Sequence, residues 1–449
     1  MVSSNILIIN LAISIAIILF LILKFKLNPA ISLVIGALFM GIASGMPMTD
    51  TLSGIGKGFG GLMGAIGLPI GFGVILGQLL SDSGGARTIA TTMVAKTSPK
   101  NAIYAIGFTA FLLSIPVFYD VTFVIIIPLG IALAKESRMP MPYIIGSMVI
   151  GAGTAHTLVP PTPNPMAAAS IFNFDLGVMV GFGGIVGLIV AFIAMKIFFF
   201  ILDKGLWNAA KDETGIEIVH EENVPAENRP SFLLSVIPIA LPIILILLGT
   251  ISKALMNEVP MVIQFLSNRI IALLAGVLAA YLMASRFMES EAIEKSAATA
   301  TKAAGIVLLI TGAGGAFGKV IQMTDIGNVL VQHISHTANA GIVTILITYF
   351  IAMVFRIAQG SGTVAAITTM TLMATVVQGV DIHPVWVALA ALSGGLSIGH
   401  VNDSGFWVTA NLSGLSVTGG LKTYTLGGAI VSLLTLLAAC LGALFFPMI

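Results

Sequence analysis

Six ionisable side chains stand inside apolar stretches of this sequence: Asp120, His156, Lys319, Arg356, His400 and Asp403. An ionisable group at membrane depth is costly and is by default a candidate for function. All except Lys319 fall in or beside an interruption of the apolar pattern, where proline, glycine and small polar residues gather. Arg356 opens one such cluster and is followed by Gln359, Gly360, Ser361 and Thr363. A guanidinium grips a carboxylate through two parallel hydrogen bonds, and the amide and hydroxyls after it suit the hydroxyl or amide groups of a ligand. Arg356 can equally neutralise Asp120 or Asp403 inside the bundle, and the two roles are compatible.

Asp120 closes a second cluster, directly after Tyr119, and Asp403 lies in His400-Val401-Asn402-Asp403-Ser404. A carboxylate at that depth can load and release a proton during a transport cycle. It can also simply cap a restarting helix, and for Asp403 both roles stay open. His156 and His400 are further proton-carrying candidates, although a lone histidine such as His156 also serves as a packing residue. Lys319 sits toward the end of its span, where snorkelling explains it.

The elements that position these residues must be membrane helices. Of 449 residues 57% are hydrophobic and only 9% are charged, with a mean hydropathy of +1.07. That is too little charge to cover a water-soluble surface. The net charge of +1 offers no electrostatic case for nucleic acid, and the single cysteine, Cys440, excludes a disulfide framework or a thiolate metal cluster. Apolar stretches of spanning length run near 6–23, 27–46, 60–80, 177–202, 232–250, 263–285, 303–323 and 424–447. The first lacks a basic leader and a small-residue cleavage site, so a retained helix is expected.

Four further stretches are interrupted: 102–134 at Pro116 to Asp120, 143–175 at Pro160 to Pro165, 341–378 around Gln359 to Gly362, and 384–416 around Gly399 to Gly405. With the N-terminus external, most lysines and arginines, from Lys24 and Lys26 to Lys422, fall on the inner face. Lys57, Lys253 and Arg269 fall outside. Stretch 102–134 then has Lys96 and Lys100 before it and Lys135 and Arg138 after it, so both ends lie inside. Its arms of about 14 residues reach only ~21 Å each at helical rise. That predicts a re-entrant hairpin, with 341–378 as its counterpart from outside.

The halves match at an offset near 241, with Gly77 on Gly318, Ser83 on Thr324 and Ile115–Thr122 on Arg356–Thr363. The expected fold is an all-α membrane protein of two inverted-topology repeats, each with five spanning helices (one broken) and one re-entrant hairpin. An odd number of crossings turns the second copy over. Residues 1–202 form the first repeat, 203–230 an acidic linker without periodicity, and 231–449 the second repeat, which leaves both termini external. Unpaired backbone at depth is tolerated only around protein or a wet cavity. The two tips and two breaks should therefore meet at one site, with helix N-termini favouring an anion.

Other motifs carry little. Gly56-Lys57-Gly58-Phe59-Gly60-Gly61 fits a dinucleotide pattern, but no strand precedes it. His333 and His336 have metal-compatible spacing without a carboxylate partner, so no metal or cofactor is expected. An intramembrane hydrolase built on Ser361 and His400 would explain neither the repeat nor Arg356.

At the same interruptions the sequence resembles the gluconate permease family. The likeness rests on Pro116-Val117-Phe118-Tyr119-Asp120-Val121, on His156-Thr157-Leu158-Val159-Pro160-Pro161-Thr162-Pro163, and on Gly312-Ala313-Gly314-Gly315-Ala316-Phe317. It rests also on Arg356-Ile357-Ala358-Gln359-Gly360-Ser361 and on His400-Val401-Asn402-Asp403-Ser404-Gly405-Phe406-Trp407. The resemblance spans nearly the whole chain. It implies an inner-membrane symporter driven by protons that takes up gluconate or a related hydroxylated monocarboxylate. It also implies membership of a wider ion-transporter group, in which a substrate-carrying domain slides against a dimer-forming scaffold, so a homodimer is expected. By the same resemblance the substrate region comprises Tyr119, Asp120, Thr162, Arg356, Gln359, Gly360, Ser361, Thr363, Asn402 and Asp403. Two positions depart from the sugar-acid pattern: Tyr119 where phenylalanine is usual and Asn164 where glycine is usual. Relatives also take D-serine and short hydroxy acids, so a shorter or more polar substrate stands as an alternative. Sodium coupling and a passive anion pore are the others.

Overall fold

The computed structural model describes residues 4–95, 97, 101–137, 139–214, 228–256, 258–324, 326, 329 and 339–448. Among these residues the chain is helical apart from one isolated bridge between Glu213 and Leu415. The helices are α1 (Ser4–Phe25), α2 (Pro29–Ala43), α3 (Met48–Asp82), α4 (Gly85–Ala95), α5 (Ala102–Leu113), α6 (Tyr119–Ser137) and α7 (Met141–Leu158). They continue with α8 (Pro163–Ile171), α9 (Leu176–Ile201), α10 (Ala209–Asp212), α11 (Phe232–Leu255), α12 (Met261–Leu266), α13 (Arg269–Ala284) and α14 (Ser290–Met323). The last are α15 (Ala340–Gln359), α16 (Gly362–Val377), α17 (Pro384–Leu396), α18 (Ser404–Leu412), α19 (Val417–Gly420) and α20 (Leu426–Phe445). Turns of π-helix occupy Leu202–Leu206 and Leu421–Thr425.

Local chemistry sets many of the starts. Proline stands in the first turn of α2, α7, α8 and α17, where its fixed φ suits the helix and its missing N–H is no loss. Asn28, Asp175 and Asn268 cap α2, α9 and α13 by accepting from backbone N–H groups at 2.9, 2.8 and 3.0 Å.

Among the described residues, eight helical stretches are long and apolar enough to cross a membrane, and the chain is an all-α, multi-pass membrane protein. Its outward faces are greasy: Ile185, Ile189 and Phe200 on α9, and Leu233, Ile244 and Ile251 on α11, are exposed. Lipid solvates such a surface. At the centre, α7 and α17 are buried on nearly all sides. Helices α5 and α9 pack on α7, while α15, α16 and α20 pack on α17. Helices α3 and α14 lie along each other, and α2 joins them.

Two boundaries differ from the sequence reading. Spans expected at 60–80 and 303–323 are the C-terminal parts of α3 and α14, which begin at Met48 and Ser290. Hydropathy ends where Lys57 or Lys302 appears, but helical backbone satisfies itself in water as in lipid, so the helices run on. The acidic linker also differs. Asn208 to Thr214 is ordered by α10, by the bridge to Leu415, and by Ser416 and Thr418 hydroxyls donating to the Lys211 carbonyl at 2.8 and 3.0 Å. Residues 215–227 of that linker, Lys96, Lys100, Arg138, His333 and His336 lie outside the described residues.

Candidate functional site

The four interruptions of the apolar pattern are interruptions of helix. The chain turns at 114–118 between α5 and α6 and at Gly360-Ser361 between α15 and α16. Helix α7 breaks from α8 at 159–162, and α17 from α18 at 397–403. Residues in or flanking all four line one cavity of about 450 Å³, within the roughly 300–1,000 Å³ of small-molecule sites. Tyr119 and Asp120 come from α6, His156 and Asn164 from α7 and α8, Arg356 and Gly360 to Thr363 from the second turn, and Asp403 from the head of α18.

Arg356 is the centre of this arrangement. It is 4% exposed and lies in the last turn of α15, which Gly360 closes in the left-handed region at φ +79°. A Cβ at Gly360 would lie 2.2 Å from the Asn402 carbonyl oxygen, which fixes glycine there. The guanidinium Nη1 donates to the Gly360 carbonyl at 2.8 Å. Nη2 donates to Asp403 Oδ2, completing a buried ion pair, and to the Tyr424 hydroxyl at 3.3 Å. Nε has no partner.

Asp403 takes one of the two roles that the sequence left open, the helix cap, and pairs with Arg356 besides. Its Oδ1 caps α18 by accepting from Gly405 N–H at 2.9 Å. Its Oδ2 meets Arg356 and also accepts from the Tyr424 hydroxyl at 2.6 Å. Tyr424 stands on the π-helical turn Leu421–Thr425, whose Thr425 hydroxyl donates to the Gly399 carbonyl in the α17–α18 break. Gly399 leaves room for the guanidinium, since a Cβ there would lie 2.1 Å from Arg356 Nη2.

Asp120 lines the same cavity, and no hydrogen bond or ion pair engages it among the described residues. Thr363 and Ser361 also line it, and the Ser361 hydroxyl accepts from Val364 N–H at 3.4 Å as the cap of α16. His156 and Asn164 line the cavity, Phe118 packs against the His156 ring, and His156 Nδ1 and Asn164 Oδ1 have no partner among the described residues. Tyr119 is engaged elsewhere: its hydroxyl pairs with Thr409 at 2.7 Å.

Three expected residues stand beside the cavity rather than on its wall. Thr162 is buried and donates to the Val159 carbonyl at 2.7 Å. His400 Nε2 and Asn402 Nδ2 both donate to the Ile357 carbonyl, at 3.1 and 2.9 Å. They tie the α17–α18 connection to the end of α15. Gln359 is the last residue of α15, and its side chain lies outside the described residues. Tyr424 is the residue that sequence reasoning missed. A tyrosine opening an apolar stretch reads as an interface anchor, and nothing in its spacing signals that the π turn aims it inward.

Spanning helices surround a cavity whose lining includes a guanidinium and two carboxylates, an arrangement that suits a membrane transport protein. A model of the GntP family permeases matches residues 6–445, and the chain belongs to that family. It is 31% identical over 436 residues to the high-affinity gluconate transporter of Escherichia coli K12, covering 96% of this chain and 98% of that one. It is 30% identical over 433 residues to the Gnt-II system L-idonate transporter of the same strain, covering 95% and 97%. Among solved structures, its fold is similar to that of MtrF of Neisseria gonorrhoeae, from a class of antimetabolite efflux pumps. That likeness has a TM-score of 0.66 at 14% identity over 88% of this chain and 84% of that one.

Proposed function

We propose that this chain is a secondary active transporter that carries a small hydroxylated monocarboxylate, gluconate or a related sugar acid, in symport with protons. One observation supports this most: in three residues that line the cavity, the buried atoms Arg356 Nε, His156 Nδ1 and Asn164 Oδ1 have no partner among the described residues. Buried polar groups are normally satisfied, so a wall of orphans suits a ligand that brings its own donors and acceptors. A sugar acid brings a carboxylate for the guanidinium and hydroxyls for the imidazole, the amide and Ser361 or Thr363. The gluconate and L-idonate specificities of the relatives fit this chemistry.

Asp120 and Asp403 both line the cavity, and the proton travels on one of these two carboxylates. The order of helix, turn and broken helix in each half supports two inverted repeats, with 102–134 and 341–378 as re-entrant hairpins. The lysine and arginine distribution supports external termini in an inner membrane, and the resemblance of the motifs supports a homodimer. The test is uptake of labelled gluconate into proteoliposomes. Accumulation should follow an inward proton gradient and stop when the gradient is collapsed. Equal uptake in both conditions would remove proton coupling from the account, and no uptake would remove the substrate.

A further inference from the structure

The Arg356–Asp403 pair poses a problem for any anion that enters the cavity. Of the guanidinium nitrogens, Nη1 serves the Gly360 carbonyl and Nη2 serves Asp403 and Tyr424, while Nε has no hydrogen-bond partner among the described residues. Nε and Nη2 form one edge of the planar fork, the edge that takes a carboxylate through two parallel bonds. Asp403 and Tyr424 together take up the Nη2 half of it. A substrate carboxylate therefore gains the two-point grip only if Asp403 lets go of Nη2.

We infer that Asp403 and the substrate carboxylate take turns on Arg356, and that protonation of Asp403 is the step that hands the guanidinium to the substrate. The inference rests on the symport reading above and assigns its coupling proton. While ionised, Asp403 cannot leave without setting two carboxylates against one cation, which like charges resist. Once Asp403 Oδ2 takes a proton, its bond to Nη2 breaks and two N–H···O bonds to the substrate form. Asp403 keeps local partners in that state: Gly405 N–H remains on Oδ1, and the Tyr424 hydroxyl, 2.6 Å away, can turn to accept the new proton. Release reverses the steps, with the substrate leaving first and the proton following as Asp403 returns to Arg356.

The charge at the centre is the same at both ends of this exchange. Arg356 with Asp403 is neutral when the site is empty, and Arg356 with substrate is neutral when it is full. A low-dielectric site tolerates both, whereas substrate added without a proton leaves an unpaired negative charge. One proton thus accompanies each monocarboxylate.

The other titratable groups facing Asp403 do not substitute for it. Tyr119 and Asp120 face it from α6, Tyr424 from the π turn and His156 across the cavity from α7. His400, on the same connection, is turned to the Ile357 carbonyl. Among the described residues, neither Asp120 nor His156 is bonded to Arg356, so their titration does not free the guanidinium.

The experiment uses the full chain in proteoliposomes with labelled gluconate, comparing wild type, Asp403→Asn and Asp120→Asn. In wild type the apparent affinity should fall about tenfold per pH unit on the alkaline side, as one bound proton per ligand requires. Asp403→Asn should carry out counterflow with an affinity flat in pH and lose accumulation against a proton gradient. Asp120→Asn should keep the wild-type slope. Independently of any variant, gluconate added to the wild-type protein in weak buffer should draw about one proton per ligand bound. An intact slope or intact accumulation in Asp403→Asn, a slope abolished by Asp120→Asn, or no proton drawn by wild type would each overturn the exchange while leaving gluconate transport standing. A wild-type protein that neither binds nor accumulates gluconate would instead overturn the functional reading beneath it.

Discussion

The Tyr424 hydroxyl donates to Asp403 Oδ2 at 2.6 Å while receiving Arg356 Nη2 at 3.3 Å. It therefore bridges the two charges of the central ion pair from a third element. Tyr424→Phe removes that bridge and little volume. A hydrogen bond to a charged group contributes roughly 1.5–3 kcal/mol. Gluconate transport should fall about tenfold or more, with the protein still folded by melting curve. Unchanged transport kinetics would show that Tyr424 merely packs against Tyr119 and Phe406.

Gly360→Ala tests the turn between α15 and α16. The added methyl meets the Asn402 carbonyl at 2.2 Å with the backbone at φ +79°. Left-handed strain alone costs about 1–3 kcal/mol, and the clash adds to it. The melting temperature should drop by several degrees and uptake with it; an unmoved melting temperature contradicts the packing described.

Asn164→Leu separates binding from stability. The Asn164 side-chain oxygen is buried without a partner among the described residues, so replacing it by an apolar group of similar size should not destabilise the fold. Gluconate uptake should nevertheless fall at least tenfold, because the wall loses a polar group that the ligand uses. Normal uptake by this variant would exclude Asn164 from the site.

Asp212 makes a pH prediction away from the membrane core. Burial pushes its carboxyl upward, but the hydrogen bonds from Lys422, at 2.7 Å, and from Asn208 N–H outweigh this and hold it below the usual carboxylate range. A depressed folded value means that the contribution is complete above the unfolded value, about 3.9. It is lost as pH falls through the folded value. The melting temperature of wild type should exceed that of Asp212→Asn near neutral pH, with the gap closing in acid. A gap independent of pH would detach the Asp212–Lys422 contact from this role.

Much of the site could be read from residue types. Arg356, Asp120, Asp403 and His156 are conspicuous because ionisable groups in apolar stretches are costly, and the structure brings all four to one cavity. What composition cannot convey is which hydrogen bonds are already spent. Asn402, His400 and Thr162 look like ligand groups by type, yet each is committed to a backbone carbonyl that a broken helix leaves open. Tyr424 was illegible for the converse reason. Its orientation comes from an inserted π turn, whose extra residue leaves no periodic trace. Hydropathy likewise found the spans but not the ends of α3 and α14, because it reports depth in lipid and not where a helix stops.

The claim that most depends on measurement is that Arg356 holds the anion. Removing Arg356 alone strands Asp403 as a buried unpaired charge, which costs about 3–5 kcal/mol and confounds the result. The double variant Arg356→Gln with Asp403→Asn keeps the site neutral. Calorimetric titration of gluconate into that variant, purified and folded, should give no detectable binding where wild type binds. Binding at wild-type affinity would contradict the account at its centre.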